Sequence, residues 1–341
     1  MRCPRLNDLP PAPAGRKGWP WTTGADPLPA SAPDGRSWPT ISIVTPSFNQ
    51  GRFLEETIRS VLLQGYPSLE YIVMDGGSAD DSVEIIRKYE PWLTSWSSAP
   101  DRGQSHAINQ GFARAAGAVR GYINSDDLYE PGALRAAAET FLSGPEVHLV
   151  AGQCVIFEDG RDIRLFEPGW PETMARFLEP FGSTFAQPAG FWSRDIHARV
   201  EGFDPDLHYC FDREFFLKIG LTGVRPVLLN RPLARYRQHR DTKTNRTIRF
   251  YEETLPLIEK YGSACGLAPA AMRRLARACR REIAYLKVFM TWKARGRPAA
   301  MGAYARMILG SPPVMFQRKI AGQGRRLLFF PAEKVAELKN V

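Results

Sequence analysis

Two adjacent carboxylates, Asp126 and Asp127, follow Asn124 and Ser125 at the end of a short apolar run. Neighbouring carboxylates repel, and a buried cleft tolerates the pair only with a cation or a proton between them. A few hard oxygen ligands at one turn suit Mg²⁺ or Mn²⁺ that also holds a substrate diphosphate. For the dipeptide alone, the alternative is a solvated turn with Asp127 capping the next helix. A second polar turn, Asp75-Gly76-Gly77-Ser78, lets the backbone bend sharply and come close to a ligand. Asp75 is placed to hydrogen-bond a base or ribose there; the plain alternative is a strand-to-helix turn with Ser78 or Asp80 as N-cap.

The elements that must position these turns alternate in type. Ile41-Ser42-Ile43-Val44 predicts a strand ending at Thr45-Pro46, and Phe53, Thr57, Ile58, Val61 and Leu62 recur at helical spacing up to Gly65. Glu70–Met74 predicts a second strand, with a helix from about Asp80 to Tyr89. A further helix, about Gln104 to Ala116, leads to the strand Val119–Ile123 and then to the acidic turn. Strand and helix in this order predict an α/β fold with a mostly parallel sheet covered on both faces. In such sheets ligands bind outside the carboxyl ends of the strands, so Thr45–Asn49, Asp75–Ser78 and Asn124–Asp127 are expected to line one crevice.

Taken together these runs resemble the family 2 glycosyltransferases. Thr45-Pro46-Ser47-Phe48-Asn49 is similar to that family's first-strand nucleotide loop, and Asp75-Gly76-Gly77-Ser78-Ala79-Asp80-Asp81-Ser82 to its D-G-G-S-x-D-x-S run. Asp101-Arg102-Gly103-Gln104-Ser105-His106-Ala107-Ile108-Asn109-Gln110-Gly111 resembles D-x-G-x-x-x-A-x-N-x-G, and Asn124-Ser125-Asp126-Asp127 stands in the place of the D-x-D metal motif. The resemblance implies a GT-A fold, which is Rossmann-like, and an inverting sugar transfer from a UDP- or GDP-type donor to a saccharide or lipid-linked acceptor. Thr45, Pro46, Ser47, Asn49, Asp75, Gly76, Ser78, Asp101, Gln104, Asn109, Asn124 and Ser125 would then bind the nucleotide sugar. Asp126 and His239, the latter in Tyr236-Arg237-Gln238-His239, would hold a divalent cation, Mn²⁺ or Mg²⁺. Asn124 replaces the first acid of D-x-D, so the cation is expected to rest chiefly on Asp126, with Asp127 behind it.

On the acceptor side the same resemblance points to the loop Gln187–Trp192 and to the start of the helix that begins Phe211-Asp212-Arg213-Glu214. An inverting transfer needs a carboxylate to take the acceptor hydroxyl's proton, and Asp212 is the expected general base. Glu214 lies two positions on, on another face of the helix. Gln187, Trp192 and Glu214 are the expected acceptor-side residues, with core packing as the alternative for the aromatic loop and helix capping for Asp212.

Composition bounds the rest. Residues 1–39 carry nine prolines and little apolar periodicity, which predicts a disordered leader before a catalytic domain over 40–245. The net charge of +9 is concentrated beyond residue 240, where 20 Lys and Arg face 7 Asp and Glu. A basic helical extension is therefore expected over 246–341. Arg273, Arg274, Arg277, Arg280 and Arg281 stud one stretch, and Met315–Phe330 mixes basic and aromatic residues, a combination that suits an anionic membrane surface. Five scattered cysteines form no C-x-x-C pair, so zinc ribbons and disulfide frameworks have no support. With no signal-peptide pattern and no run of roughly 18 to 20 apolar residues, the expected location is cytoplasmic, at the inner face of a membrane. No motif supports a nucleic-acid partner. Two other classes fit parts of the pattern: a nucleotidyltransferase, disfavoured because no basic Gly-rich loop follows the first strand, and a non-catalytic membrane-docking protein with a degenerate site.

Overall fold

A computed structural model describes residues 2–180, 182, 185–243 and 246–310. Met315–Phe330 lies outside the described residues. The chain divides into two compact units, one formed by residues 1–177 and 182–239, the other by 178–181 and 240–341.

The first unit is built on a mixed sheet. Its parallel block comprises β1 (Ile41–Ser47), β2 (Leu69–Asp75), β3 (Ser95–Ser98) and β4 (Val119–Tyr122), in the spatial order β3-β2-β1-β4. Ile41, Ile43 and Val44 are β-branched and fully buried, as a central parallel strand covered on both faces requires. The connecting helices are α1 (Gly51–Leu62), α2 (Ser82–Tyr89) and α3 (Gln104–Ala113). Packing of α3 on the sheet is close enough that a Cβ at Gly111 would lie 2.5 Å from the Val44 side chain. Beyond the acidic turn come β5 (Leu128–Tyr129), α4 (Ala133–Leu142), β6 (Leu149–Glu158), β7 (Arg161–Phe166), β8 (Gly190–Ser193), α5 (Arg194–Arg199), α6 (Phe211–Leu221) and β9 (Val227–Arg237). Strand β8 joins β4 antiparallel, β6 follows β8, and β9 runs parallel to β6 before meeting β5.

The parallel register brings the functional turns together. Ser47 pairs with Asp75, Asp75 with Ser98, and Val44 with Tyr122, so four strands end along one edge of the sheet. The runs after β1, β2, β3 and β4 are the four motif segments.

The leader departs from expectation. Cys3, Leu9, Leu28, Ala32 and Trp38 are buried in the main core. The backbone of Cys3, Ala25 and Leu28 donates to the carbonyls of Tyr66, Leu63 and Gly65. From α1, the guanidinium of Arg59, 1% exposed, donates to the carbonyls of Pro10, Pro20 and Trp21 and to the Tyr89 hydroxyl. Residues 2–39 are therefore an ordered wrap rather than a disordered segment. Prolines lower the entropy lost on ordering, and a buried guanidinium satisfies carbonyls that no regular element pairs.

The second unit contains α7 (Thr247–Tyr261) and α8 (Pro269–Gly310), the latter kinked at Gly296. Arg273, Arg274, Arg277 and Arg280 are exposed on it and Arg281 is half-buried. Among the described residues, no helix is long and apolar enough to cross a membrane.

Candidate active site

The loops after β1 and β2 are tied into one wall. Asn49, held at a φ of 52°, donates its backbone N–H to Ser78 Oγ at 2.7 Å and accepts from the Ala79 N–H at 2.9 Å. Asp80 accepts from the first N–H of α1 at Gly51, satisfying a donor that a helix start leaves open. Asp75 accepts from the Gly77 and Ser78 N–H groups and from the hydroxyls of Ser78 and Ser98. It is 3% exposed, and these bonds make the carboxylate the brace of its own turn. Gly76 is buried beside this wall, where a Cβ would meet the Asp101 carboxylate at 3.0 Å and the Phe48 ring at 3.3 Å. Phe48 is 61% exposed. Ser47 Oγ is buried with no protein partner, a group that calls for a ligand or a water.

Further along the edge a polar chain holds the acidic turn. Gln104, at the start of α3, donates to Asn124 Oδ1 at 2.5 Å, and the Asn124 amide donates to Asp127 Oδ2 at 3.0 Å. Asp127 is fully buried and its other oxygen accepts from the Arg237 N–H at 2.9 Å. Burial, and then the neighbouring Asp126, raise the Asp127 carboxyl well above the usual carboxylate range. Asp126 points elsewhere: its Oδ2 lies 2.9 Å from His239 Nε2, joining residues 113 apart in sequence. The Asp126–His239 pair offers one hard oxygen and one imidazole, the partial set that Mg²⁺ or Mn²⁺ completes with diphosphate oxygens and water. Among the described residues, no group of three or more His, Cys, Asp and Glu is arranged to hold a metal.

Asp212 occupies the first turn of α6 and is half-buried, its Oδ1 accepting from the Arg213 N–H. It lies near the same edge: burial, then Asp212, then Asp127 push up the hydroxyl of Tyr122, the last residue of β4. The other expected acceptor-side residues are held inside the domain. Trp192 is fully buried in a nest of Phe112, Phe203, Phe215 and Phe216, donating to His197 Nδ1. Glu214 is fully buried and paired with Lys218 at 3.1 Å, one helical turn on. Gln187 is buried and donates to the Tyr122 carbonyl at 2.8 Å. All three side chains are engaged within the domain, Trp192 by ring packing and Gln187 and Glu214 by a hydrogen bond and an ion pair.

Two of the expected nucleotide-side residues are engaged inside the protein as well. Thr45 is fully buried against the Tyr71 hydroxyl. Asn109 uses its amide on the backbone of Phe203, donating at 2.7 Å and accepting at 3.1 Å. Ser125 and Pro46 are buried beside the turn and strand that carry them. Sequence reasoning missed Phe48 and Arg237. Phe48 was the one apolar residue in a polar turn, and Arg237 stood two places before His239. The Arg237 guanidinium donates to the Asp126 carbonyl at 2.8 Å and to Glu56 at 2.8 Å, between the rings of Phe53 and Phe157.

Comparison with known proteins bears on the family and the fold. Residues 42–200 match the family model described as glycosyl transferase family 2. An uncharacterized glycosyltransferase of Mycobacterium tuberculosis is 34% identical over 187 residues, covering 54% of this chain and 70% of that protein. The teichuronic acid biosynthesis glycosyltransferase TuaG of Bacillus subtilis is 28% identical over 131 residues, 38% of this chain and 52% of that protein. In fold, the chain is similar to the mannosyltransferase PcManGT from Pyrobaculum calidifontis, solved with GDP-Man and Mn²⁺. The TM-score is 0.52 at 18% identity, over 94% of this chain and 90% of that one.

Proposed function

Because the chain belongs to glycosyl transferase family 2 and has the GT-A fold, we propose that it transfers a sugar from a nucleoside-diphosphate donor to a saccharide or lipid-linked acceptor, with inversion, in cell-surface polysaccharide or glycoconjugate synthesis. The observation that carries this reading is the pairing of Asp126 with His239 at 2.9 Å, at the strand edge that also presents Phe48, Gly76 and Asp101.

The donor's base and ribose lie against Phe48 and Gly76, beside the Asp101 carboxylate, and Ser47 Oγ finds its missing partner on the donor. Asp126 and His239 would hold the cation, which supplies charge stabilisation for the departing diphosphate. Asn124 and Asp127 do not contact it; they set the direction in which Asp126 points. Asp212 accepts the proton of the acceptor hydroxyl as that oxygen attacks the anomeric carbon from the face opposite the diphosphate. In-line attack of this kind inverts the configuration. The exposed arginines of α8 present positive charge to anionic lipid headgroups and bring the enzyme to a lipid-linked acceptor at the cytoplasmic membrane face.

The test is hydrolysis and transfer with a panel of UDP- and GDP-sugars in the presence of Mn²⁺. Turnover of one donor is expected. No turnover of any donor, with no binding of either nucleoside diphosphate, would overturn the proposal.

A further inference from the structure

The leader reaches the acidic turn by two hydrogen-bond routes. Trp19 Nε1 donates to the carbonyl of Tyr129 at 2.8 Å, two residues beyond Asp127. Trp21 Nε1 donates to Glu56 Oε1 at 3.3 Å. The other oxygen of Glu56 accepts from Arg237 at 2.8 Å, and Arg237 in turn donates to the Asp126 carbonyl and, through its backbone, to Asp127 Oδ1. Helix α1 carries Glu56 and adds two direct holds on the same turn: the Thr57 hydroxyl donates to the Asp127 carbonyl, and Ser60 Oγ accepts from the Tyr129 N–H. The side chains of Glu56 and Arg237 are only 15% and 10% exposed, so the ion pair is weakly screened.

We propose that Trp19 and Trp21 of the leader, the latter through the Glu56–Arg237 pair, are positioning residues that aim the Asp126 carboxylate at the cation site. Three charges decide the geometry. Arg237 stands next to a turn with two carboxylates, and a free guanidinium prefers a carboxylate to a carbonyl. Glu56 holds the guanidinium on the peptide of Asp126, which leaves the Asp126 side chain turned to His239. Trp21 supplies a donor to the remaining Glu56 oxygen and so orients that carboxylate. If Glu56 loses its charge or its orientation, Arg237 can swing onto Asp126 and compete with a divalent cation. The family match begins at residue 42, so the two indoles lie outside the matched residues.

The proposal rests on Asp126 as the cation ligand, and the test separates the two ideas. Trp21→Phe, Trp19→Phe and Glu56→Gln are compared with wild type, with Trp96→Phe as a control on β3. Mn²⁺ affinity is measured from the EPR signal of free Mn²⁺ with UDP or GDP present. Trp21→Phe and Trp19→Phe are expected to weaken it by roughly three- to tenfold, the equivalent of one hydrogen bond, and Glu56→Gln by more. Turnover of the accepted donor should return to the wild-type kcat at saturating Mn²⁺, an outcome that a merely misfolded variant does not give. A second readout needs no metal: the ¹⁵N resonances of the His239 imidazole in metal-free protein, identified by their loss in His239→Gln. The leader and Glu56 variants are expected to shift these resonances, because the Asp126–His239 hydrogen bond is disturbed, and Trp96→Phe is not. If Asp126→Ala leaves Mn²⁺ affinity unchanged, the cation reading fails, and the His239 resonances alone decide the bracing role. Wild-type His239 resonances in both Trp21→Phe and Glu56→Gln overturn the proposal. Should Trp21→Phe fail to fold, Glu56→Gln and Trp19→Phe carry the same comparison.

Discussion

Replacing Asn124 by Asp restores the first acid of the D-x-D pattern, yet it is expected to destabilise the protein. The Asn124 amide donates to the buried Asp127 carboxylate at 3.0 Å and accepts from Gln104 at 2.5 Å. Asn124→Asp removes the donor, and a buried polar group left without its partner costs about 1–3 kcal/mol. Two ionised carboxylates about 3 Å apart would further repel by about 5 kcal/mol at an effective dielectric constant near 20. The pair avoids that repulsion by keeping one proton. A carboxyl whose pKa is raised by folding contributes stability that is present below its unfolded value and lost as pH rises through the folded one. Asn124→Asp should therefore be about 2–4 kcal/mol less stable than wild type near pH 7.5, with a smaller deficit near pH 5. Urea denaturation of the metal-free protein at the two pH values measures both. Equal stability of variant and wild type at both would refute the relay from Gln104 to Asp127, and Asn124 would then be a lost ligand and nothing more.

Asp212→Asn should lower kcat by about 10²- to 10⁴-fold, as for loss of a general base, while nucleoside diphosphate affinity by calorimetry changes little; a large loss of that affinity would argue for a donor-side role. Phe48→Ala should weaken nucleoside diphosphate binding by about tenfold, since stacking of a base on an aromatic ring is worth about 1–3 kcal/mol, and unchanged affinity would move the base elsewhere. Burial, then Arg120 and Lys218, lower the His197 imidazole to about 3. Its stabilising contribution is complete above the unfolded value near 6.5 and falls as the pH drops toward the folded one, by about 2 kcal/mol between about pH 7 and pH 5. His197→Gln should lack that acid-limb loss when unfolding is followed at both pH values, and parallel curves would contradict the assignment.

How much of this was legible beforehand depended on whether a residue's role has a local signature. The strand Ile41–Val44 and the helix through Phe53, Ile58 and Leu62 announce themselves by period, and the order of elements carried the carboxyl-edge rule to turns that the register does bring to one sheet edge. The leader has no period to read. Its burial depends on Arg59, 38 to 49 residues away in sequence, collecting the carbonyls of Pro10, Pro20 and Trp21. Trp192 and Glu214 sit in segments whose residue types suit a ligand as well as a core, and their complete burial has no local signature. Asn124 looked like a weakened ligand because a side chain's direction is invisible in a motif. The structure turns it inward, onto Asp127. His239 could be connected to Asp126 through family resemblance alone, since 113 residues separate them.

The central claim is that the crevice binds a nucleoside diphosphate through a cation held by Asp126. Calorimetric titration of UDP and GDP into wild type and Asp126→Ala, each with and without Mn²⁺, tests it most directly. One diphosphate should bind wild type about tenfold or more tightly with Mn²⁺ than without, and that enhancement should vanish in Asp126→Ala. Equal affinity with and without Mn²⁺ in wild type, or an undiminished enhancement in Asp126→Ala, would contradict the claim.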